Sequence, residues 1–245
     1  MDFYSNSNIY RLLKVENIYL TEYNLIEVIK MNKETIATFS IVAFDPETKE
    51  LGVAVQSRFL AVGLIVPWAE AGVGAIATQA RGNPTYGPRG LSLLKEGKSP
   101  EEVINLLVEN DSEKEHRQIG IIDSKGNSVN FTGKECNDWA GASKGENFTA
   151  QGNILVDEKT IEQMASTFQN EKGDLADRLI GSLKAGQKAG GDSRGKQAAA
   201  LYVVKENGGY GGYNDRYIDL RVDDHENPIE ELERLLNLFY ETFES

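Results

Sequence analysis

A chain of 245 residues with a formal net charge of -12, one cysteine and two histidines is long enough for one substantial domain or two small ones. The acidic balance argues against nucleic acid, whose phosphates need a basic face, and against anionic membranes. Cys136, the single cysteine, excludes an intrachain disulfide and fits a reducing, cytoplasmic setting. No apolar run nears the length of a membrane span, none near the start reads as a signal peptide, and two distant histidines argue against a histidine-rich zinc site.

Residues 1–37 contain no glycine and are rich in Asn, Tyr, Ile and Glu, with Met31 near their end. They read as a helical or strand extension, a propeptide, or an upstream start that the cell does not use. Residues 38–245 form the domain. Its first stretch, Thr38 to Arg58, holds two apolar runs, Phe39 to Phe44 and Leu51 to Val55, around the polar turn Asp45-Pro46-Glu47-Thr48-Lys49-Glu50. Asp at the first turn position and Pro at the second suit a type I turn, so the stretch predicts an antiparallel hairpin buried on both faces. The start of one strand then lies beside the end of the other, which brings Thr38 and Ser40 to the same edge as Gln56, Ser57 and Arg58.

Phe59 to Val66 is apolar and leads to Pro67-Trp68; Gly72 to Ala80 predicts a buried strand thinned by small residues. The turn-rich loop from Arg81 to Pro88 precedes a short helix over Arg89 to Glu96. Ser99-Pro100-Glu101-Glu102 is a capping box with Pro at the first helical position, and Val103, Leu106 and Leu107 supply the buried stripe. Gln118 to Asp123 and Ser128 to Phe131 predict a second hairpin around Ser124 to Asn127. Phe148 to Leu155 reads as extended. Two helices follow, over about Glu158 to Gln169 and Asp174 to Gln187, separated near Gly173. A glycine-rich loop, Ala189 to Gly195, returns to strands over Ala198 to Val204 and Tyr217 to Val222. Asn227-Pro228 opens a terminal helix with Ile229, Leu232, Leu235, Leu236 and Phe239 on one face.

Several of these segments resemble a known family. Thr-Phe-Ser-Ile-Val-Ala, Leu-Gly-Val-Ala-Val-Gln-Ser-Arg-Phe-Leu-Ala-Val-Gly and Val-Pro-Trp-Ala-Glu-Ala-Gly-Val-Gly-Ala-Ile-Ala-Thr-Gln-Ala are similar to the start of domain of unknown function 1028, an uncharacterised prokaryotic family grouped with the N-terminal-nucleophile (Ntn) hydrolases. The likeness continues through Gln151-Gly152-Asn153, Gly190 to Gln197 and Tyr217 to His225. The order of strands and helices, with this resemblance, implies an α+β fold: a four-layer αββα sandwich of two antiparallel sheets with helices outside. A homodimer is expected from the apolar terminal helix and that architecture.

The resemblance places a nucleophile at Thr38. A threonine hydroxyl is weak until a base takes its proton, and at a chain terminus the residue's own α-amine, with a pKa of about 7.7–8.0, can do so. The Ala37–Thr38 bond must first be cut; removal of Met1 or a start at Met31 does not expose Thr38. The bland reading of Thr38 is β-propensity. Ser40 is the second hydroxyl, set inside the strand. Ntn hydrolases of the proteasome type carry an acidic residue and then arginine after the second strand; here Gln56 or Ser57 stands at the acidic position, before Arg58. Their lysine is absent, since nothing between Lys49 and Lys95 is lysine, and arginine cannot relay a proton in its place. Arg58 reads as a field-setting or substrate-holding group, or as a strand-end partner for a carboxylate.

Within Gln79-Ala80-Arg81-Gly82-Asn83 the resemblance makes the Gly82 N–H and the Asn83 amide oxyanion donors, with Gln79 and Arg81 lining a substrate site. The alternative is an ordinary loop in which Gly82 supplies a positive φ and Asn83 precedes proline. Asp192 and Arg194 would hold substrate at the mouth. Neither Gly190 to Gly195 nor Gly208 to Tyr213 carries P-loop or dinucleotide spacing, so no cofactor is expected. Asp219, Asp223, Asp224 and His225 lack spacing diagnostic of a metal and read as solvated ions. Cys136 reads as a buried thiol, and Trp68 and Trp139 as core or interface residues. The expected activity is hydrolysis of an amide bond in a small molecule or short peptide; the alternative is a non-catalytic ligand-binding or assembly module on the same fold.

Overall fold

The hairpin predicted at the head of the domain forms as Thr38–Phe44 (β1) and Leu51–Ser57 (β2), paired from Thr38↔Ser57 to Phe44↔Leu51. The Asp45 carboxylate accepts the N–H groups of Glu47 and Thr48 at 2.8 and 3.2 Å, closing the turn as its residue type requires. The computed structural model describes residues 38–243; the N-terminal extension, with its three readings, lies outside them.

Each edge of the hairpin recruits further strands. Ala198–Val204 (β9) pairs with β2, and Arg216–Val222 (β10) with β9; Phe148–Asn153 (β8) pairs with β1, and Gly141–Gly145 (β7) with β8. The result is a six-stranded antiparallel sheet in the order β10-β9-β2-β1-β8-β7. Pro67–Glu70 (β3), Gly74–Ala80 (β4), Arg117–Asp123 (β5) and Ser128–Thr132 (β6) make a four-stranded antiparallel sheet in chain order. The helices are Tyr86–Lys95 (α1), Pro100–Val108 (α2), Lys159–Asn170 (α3), Leu175–Lys188 (α4) and Pro228–Phe243 (α5).

Three apolar cores separate these elements, because a sheet in the middle must bury both faces. Phe39, Ile41 and Ala54 meet Phe168, Leu179, Leu183 and Leu232 beneath α3, α4 and α5. Val42, Val53 and Val55 meet Ala75, Ala77 and Ile122 between the sheets. Ile76, Ile119 and Ile121 meet Leu91, Leu94, Val103 and Leu107 under α1 and α2. β1 and β2 are therefore mostly apolar and buried at every residue, the polar ones, Thr38, Ser40, Gln56 and Ser57, lying toward one end. No helix among the described residues is long and apolar enough to cross a membrane.

Two strands escape the sequence reading. β3 is a short, half-buried edge, and β7, Gly-Ala-Ser-Lys-Gly, has little strand propensity and is held by its pairing with β8. The first helix also begins at Tyr86, ahead of the predicted Arg89. Pro88 falls in its first turn, where a missing N–H removes no helical bond, and Gly87 gives Trp68 its space: a Cβ there would lie 2.1 Å from the indole. At α2 the capping box forms as predicted, Ser99 Oγ accepting from the Glu102 N–H at 3.3 Å and Glu102 Oε2 accepting from the Ser99 N–H at 2.8 Å. Ser99→Ala is expected to cost about 1 kcal/mol, read as a lowered urea midpoint with an unchanged slope.

Candidate functional site

Antiparallel pairing gathers distant residues at one end of the molecule. Thr38 stands opposite Ser57 on one side and Asn153 on the other. Ser57 in turn stands opposite Ala198, so the Gly190 to Gly195 loop arrives at the same end. In the second sheet Gln79 lies opposite Gln118, and the Arg81 to Asn83 loop leaves from the next residues. The two sheet ends meet where Gln79 Nε2 approaches the Thr38 carbonyl at 3.4 Å. Strand alternation turns Thr38, Ser40 and Ser57 toward the second sheet and Gln56, the partner of Phe39, toward the helices. Ser57, rather than Gln56, is therefore the side chain beside Thr38. Thr38, Ser57 and Gln56 are all fully buried, and both amide atoms of Gln56 lack a hydrogen-bond partner.

Between the sheets at this end the apolar core gives way to a layer of fully buried polar side chains: Ser40, Gln79, Gln118, Gln151 and Asn153. Gln118 Nε2 donates to the carbonyls of Gly152 at 2.8 Å and Gly141 at 3.2 Å, and to Thr132 Oγ1 at 3.0 Å. Its Oε1 is left to accept, and does so from Gln79 Nε2 at 2.8 Å and Asn153 Nδ2 at 3.0 Å. Gln79 Oε1 accepts from the Ser40 hydroxyl at 2.6 Å, and Ser40 Oγ accepts from Gln151 Nε2 at 2.6 Å. Gln151 fits because Gly120 faces it: a Cβ there would sit 2.1 Å from Oε1. The Ser40 hydroxyl, the second candidate, is thus engaged on both sides.

Outside this layer the structure joins Arg58, Asp192 and Arg194 in one knot. The Asp192 carboxylate accepts from the Arg58 N–H at 2.9 Å, from the Arg194 N–H and Nε at 2.9 and 3.1 Å, and from Arg194 Nη2 at 3.0 Å. The Arg58 side chain closes the knot through Nη1 to the Arg194 carbonyl. In the Arg81 to Asn83 loop, the Asn83 N–H bonds Thr78 Oγ1 at 3.3 Å, and Asn83 Oδ1 accepts from the Thr85 N–H and hydroxyl at 3.1 and 2.8 Å. Nδ2 is the Asn83 group these bonds leave over. The half-exposed Gly82 offers an N–H that no described residue engages. The positive φ next to this loop, 63°, belongs to Ala80.

An ionic cluster pins the loop from below. Arg117 donates to Asp111 at 2.8 Å, to Glu113 at 3.1 Å and to the Arg81 carbonyl, while Arg81 Nη1 bonds Glu113 at 2.9 Å and the Tyr86 hydroxyl bonds Asp111 at 2.5 Å. Burial opposes ionisation of Asp111, but hydrogen bonds from Arg117, Tyr86 and the Glu113 N–H, with the Arg117 charge, hold its carboxyl well below the usual range. Burial, the hydrogen bond to Asp111 and that residue's charge push the Tyr86 phenol up, so it remains a donor. Cys136 is half-buried, and burial raises its thiol to about 11, which suits an inert thiol. Trp68 and Trp139 are half-buried against the outer cores. Of the C-terminal acids, Asp219 pairs with Arg216, Asp223 with Arg221, and Asp224 accepts from Gln197. Among the described residues no three acidic, histidine or cysteine groups lie together as metal ligands.

A family model described as a family of unknown function, DUF1028, matches residues 38–232. The chain belongs to the DUF1028 family. The crystal structure of the DUF1028 protein SPO2555 from Silicibacter pomeroyi is similar to it, with 32% identity and a TM-score of 0.77 over 83% of this chain and 86% of that one. No curated protein matches. In this DUF1028 chain the sequence pointed to Thr38, Ser57, Arg58, Gln79, Arg81, Gly82, Asn83, Asp192 and Arg194, and all of them fall at the same end of the sheets. Gln118 was missed, as was the cluster of Asp111, Glu113 and Arg117. The available signal for Gln118 was a glutamine inside an isoleucine-rich strand, two positions before Gly120.

Gln118→Leu is expected to destabilise the protein by roughly 3 kcal/mol or more, since each orphaned buried polar group costs about 1–3 kcal/mol; a loss below about 1 kcal/mol in denaturant titration would mean that the layer re-pairs without it. Because the folded-state value of Asp111 is depressed, its contribution is present above the unfolded value of about 3.9 and is lost as pH falls below it. The stability difference between the native chain and Asp111→Asn should therefore shrink as pH is lowered from about 5 to 2, measured by thermal melts across that range.

Proposed function

We propose that this DUF1028 protein is an amide hydrolase of the Ntn type, acting on a small molecule or short peptide from an αββα sandwich. The observation that carries the reading is the position of Thr38. It heads the central strand β1, its side chain faces the second sheet, and the family match begins at the same residue. The order of helix, sheet, sheet and helix layers supports the Ntn assignment of the fold.

The chemistry requires that the Ala37–Thr38 bond be cut. Thr38 Oγ1 then bonds the amide carbon of the substrate while its proton passes to the freed α-amine, a base of suitable pKa. The Gly82 N–H and Asn83 Nδ2 are the donors available to the oxyanion, one unengaged among the described residues and the other left over by the Asn83 bonds. As the C–N bond breaks, the departing amine takes the proton from the ammonium. Water repeats the attack on the threonine ester, releasing a carboxylic acid and restoring the hydroxyl. Arg58 and Arg194 add positive field at the mouth. Neither relays a proton, since a guanidinium keeps its own.

A second reading is favoured by a specific observation: Asp192 is already fully bonded, and Thr38 is buried. On that reading the same end of the sandwich binds a ligand or another protein without catalysis. Intact-mass analysis of protein from its own host separates the two. The hydrolase predicts a chain beginning at Thr38 that a β-lactone labels once, with labelling kept in Thr38→Ser and lost in Thr38→Ala. Asn83→Ala should slow acylation on the order of 10²–10³-fold. An uncut, unlabelled chain would overturn the hydrolase and leave the binding module.

A further inference from the structure

The direction of the amide layer leaves two acceptors over: Gln151 Oε1, packed against Gly120 of the second sheet, and Asn153 Oδ1 beside Thr38. Two backbone carbonyls, which can only accept, orient Gln118; Gln118 Oε1 then takes the amide N–H of Asn153 at 3.0 Å. Asn153 Oδ1 must point the other way, and it is a buried oxygen with no hydrogen-bond partner, on a fully buried residue. Such an orphan costs about 1–3 kcal/mol, so a native structure that keeps one needs a reason.

Its location supplies the reason. Asn153 is the direct cross-strand partner of Thr38, and both side chains face the second sheet; opposed residues on one face stand within about 5.5 Å at Cβ. The Ser57 carbonyl accepts from the Gln197 N–H at 3.1 Å, on the side away from β1. In an antiparallel ladder each residue directs its own N–H and C=O to the same neighbour. Thr38 and Ser57 are therefore a non-hydrogen-bonded pair, and the backbone nitrogen of Thr38 is directed toward β8 and Asn153. In the intact chain that nitrogen carries a single N–H. Cutting the Ala37–Thr38 bond turns it into an ammonium with three donors on the side where the orphan oxygen lies.

We infer that Asn153 is a positioning residue whose Oδ1 accepts a hydrogen bond from the freed α-amino group of Thr38. This rests on the reading of Thr38 as an exposed nucleophile. Held there, the amine has its rotation about the N–Cα bond restricted and its lone pair kept for the neighbouring hydroxyl. An acceptor that bonds the charged form also raises the pKa of that amine, so Asn153 sets the pH at which the enzyme gains its base.

The test is the pH profile of β-lactone labelling on naturally processed protein, with melting curves to show that each variant is folded. Asn153→Asp, which places a carboxylate beside the ammonium, should move the rising limb to higher pH by about one unit or more. Below the limb, that is a tenfold loss of rate at a given pH. Asn153→Ser, too short to reach, should move the limb down. If both variants are cut and labelled on the native limb, the inference is overturned while the Thr38 reading stands. If the chain is neither cut at Thr38 nor labelled, both fall together. Should neither variant fold, the side-chain amide resonance of Asn153 in the native protein decides: a titration sharing the midpoint of labelling supports the contact, and a signal flat across that range overturns it.

Discussion

The carbonyls of Gly141 and Gly152 orient the Gln118 amide, on which the polar layer between the two sheets turns. Because a carbonyl only accepts, the Gln118 amide presents its nitrogen to them and its oxygen inward, and Gln79, Asn153, Ser40 and Gln151 each take the orientation that remains. Side-chain amides in a sandwich core are costly if any member is left unpaired. Here the chain of donors is anchored at one end on backbone that pairing already holds, and the oxygens of Gln151 and Asn153 stay unpaired. The layer also joins strands from both sheets, which an apolar contact would do without directional preference.

The same layer separates two regimes of packing. Valine and alanine, with Phe44, Leu51 and Ile122, fill the rest of the space between the sheets, so that part is apolar and buried. Toward Thr38 the polar layer takes over, and beyond it lie the Asp192 knot and the Arg117 cluster. Those ion pairs tie loops to strand ends: Asp192 clasps the last residue of the hairpin, and Arg117 holds the Arg81 carbonyl under the loop that presents Gly82 and Asn83. Partly buried pairs of this kind are weak evidence of stability. What they do here is limit where two loops can go at the one end of the sandwich where hydroxyl, amide and guanidinium groups converge.

That convergence is the basis for proposing a hydrolase, and it also shows which groups are not offered to Thr38. Ser40 is consumed by hydrogen bonds, Gln56 faces the helices, and no lysine stands on β1, β2 or β4. On the hydrolase reading, the base for Thr38 is its own α-amine, freed when the Ala37–Thr38 bond is cut. The unpaired oxygen of Asn153 belongs to the same account, as an acceptor present before its donor.

Much of the architecture was legible in the residues. Local signals mark the hairpin turn at Asp45-Pro46, the capping box at Ser99, the paired helices around Gly173 and the last strand pair, because turn chemistry and apolar periodicity act over a few residues. The strands β3 and β7 were not legible, since a tetrapeptide edge and a Gly-Ala-Ser-Lys-Gly segment have no propensity of their own and exist through their neighbours. For the candidate site, residue type and family likeness pointed to Thr38 and the surrounding loops from the sequence by itself. Only the tertiary structure decided which of Gln56 and Ser57 stands beside Thr38, tied Ser40 into the polar layer, and brought in Gln118 and Asp111. Those outcomes depend on strand register and on the direction of hydrogen bonds across two sheets, and neither is encoded in any short stretch of chain.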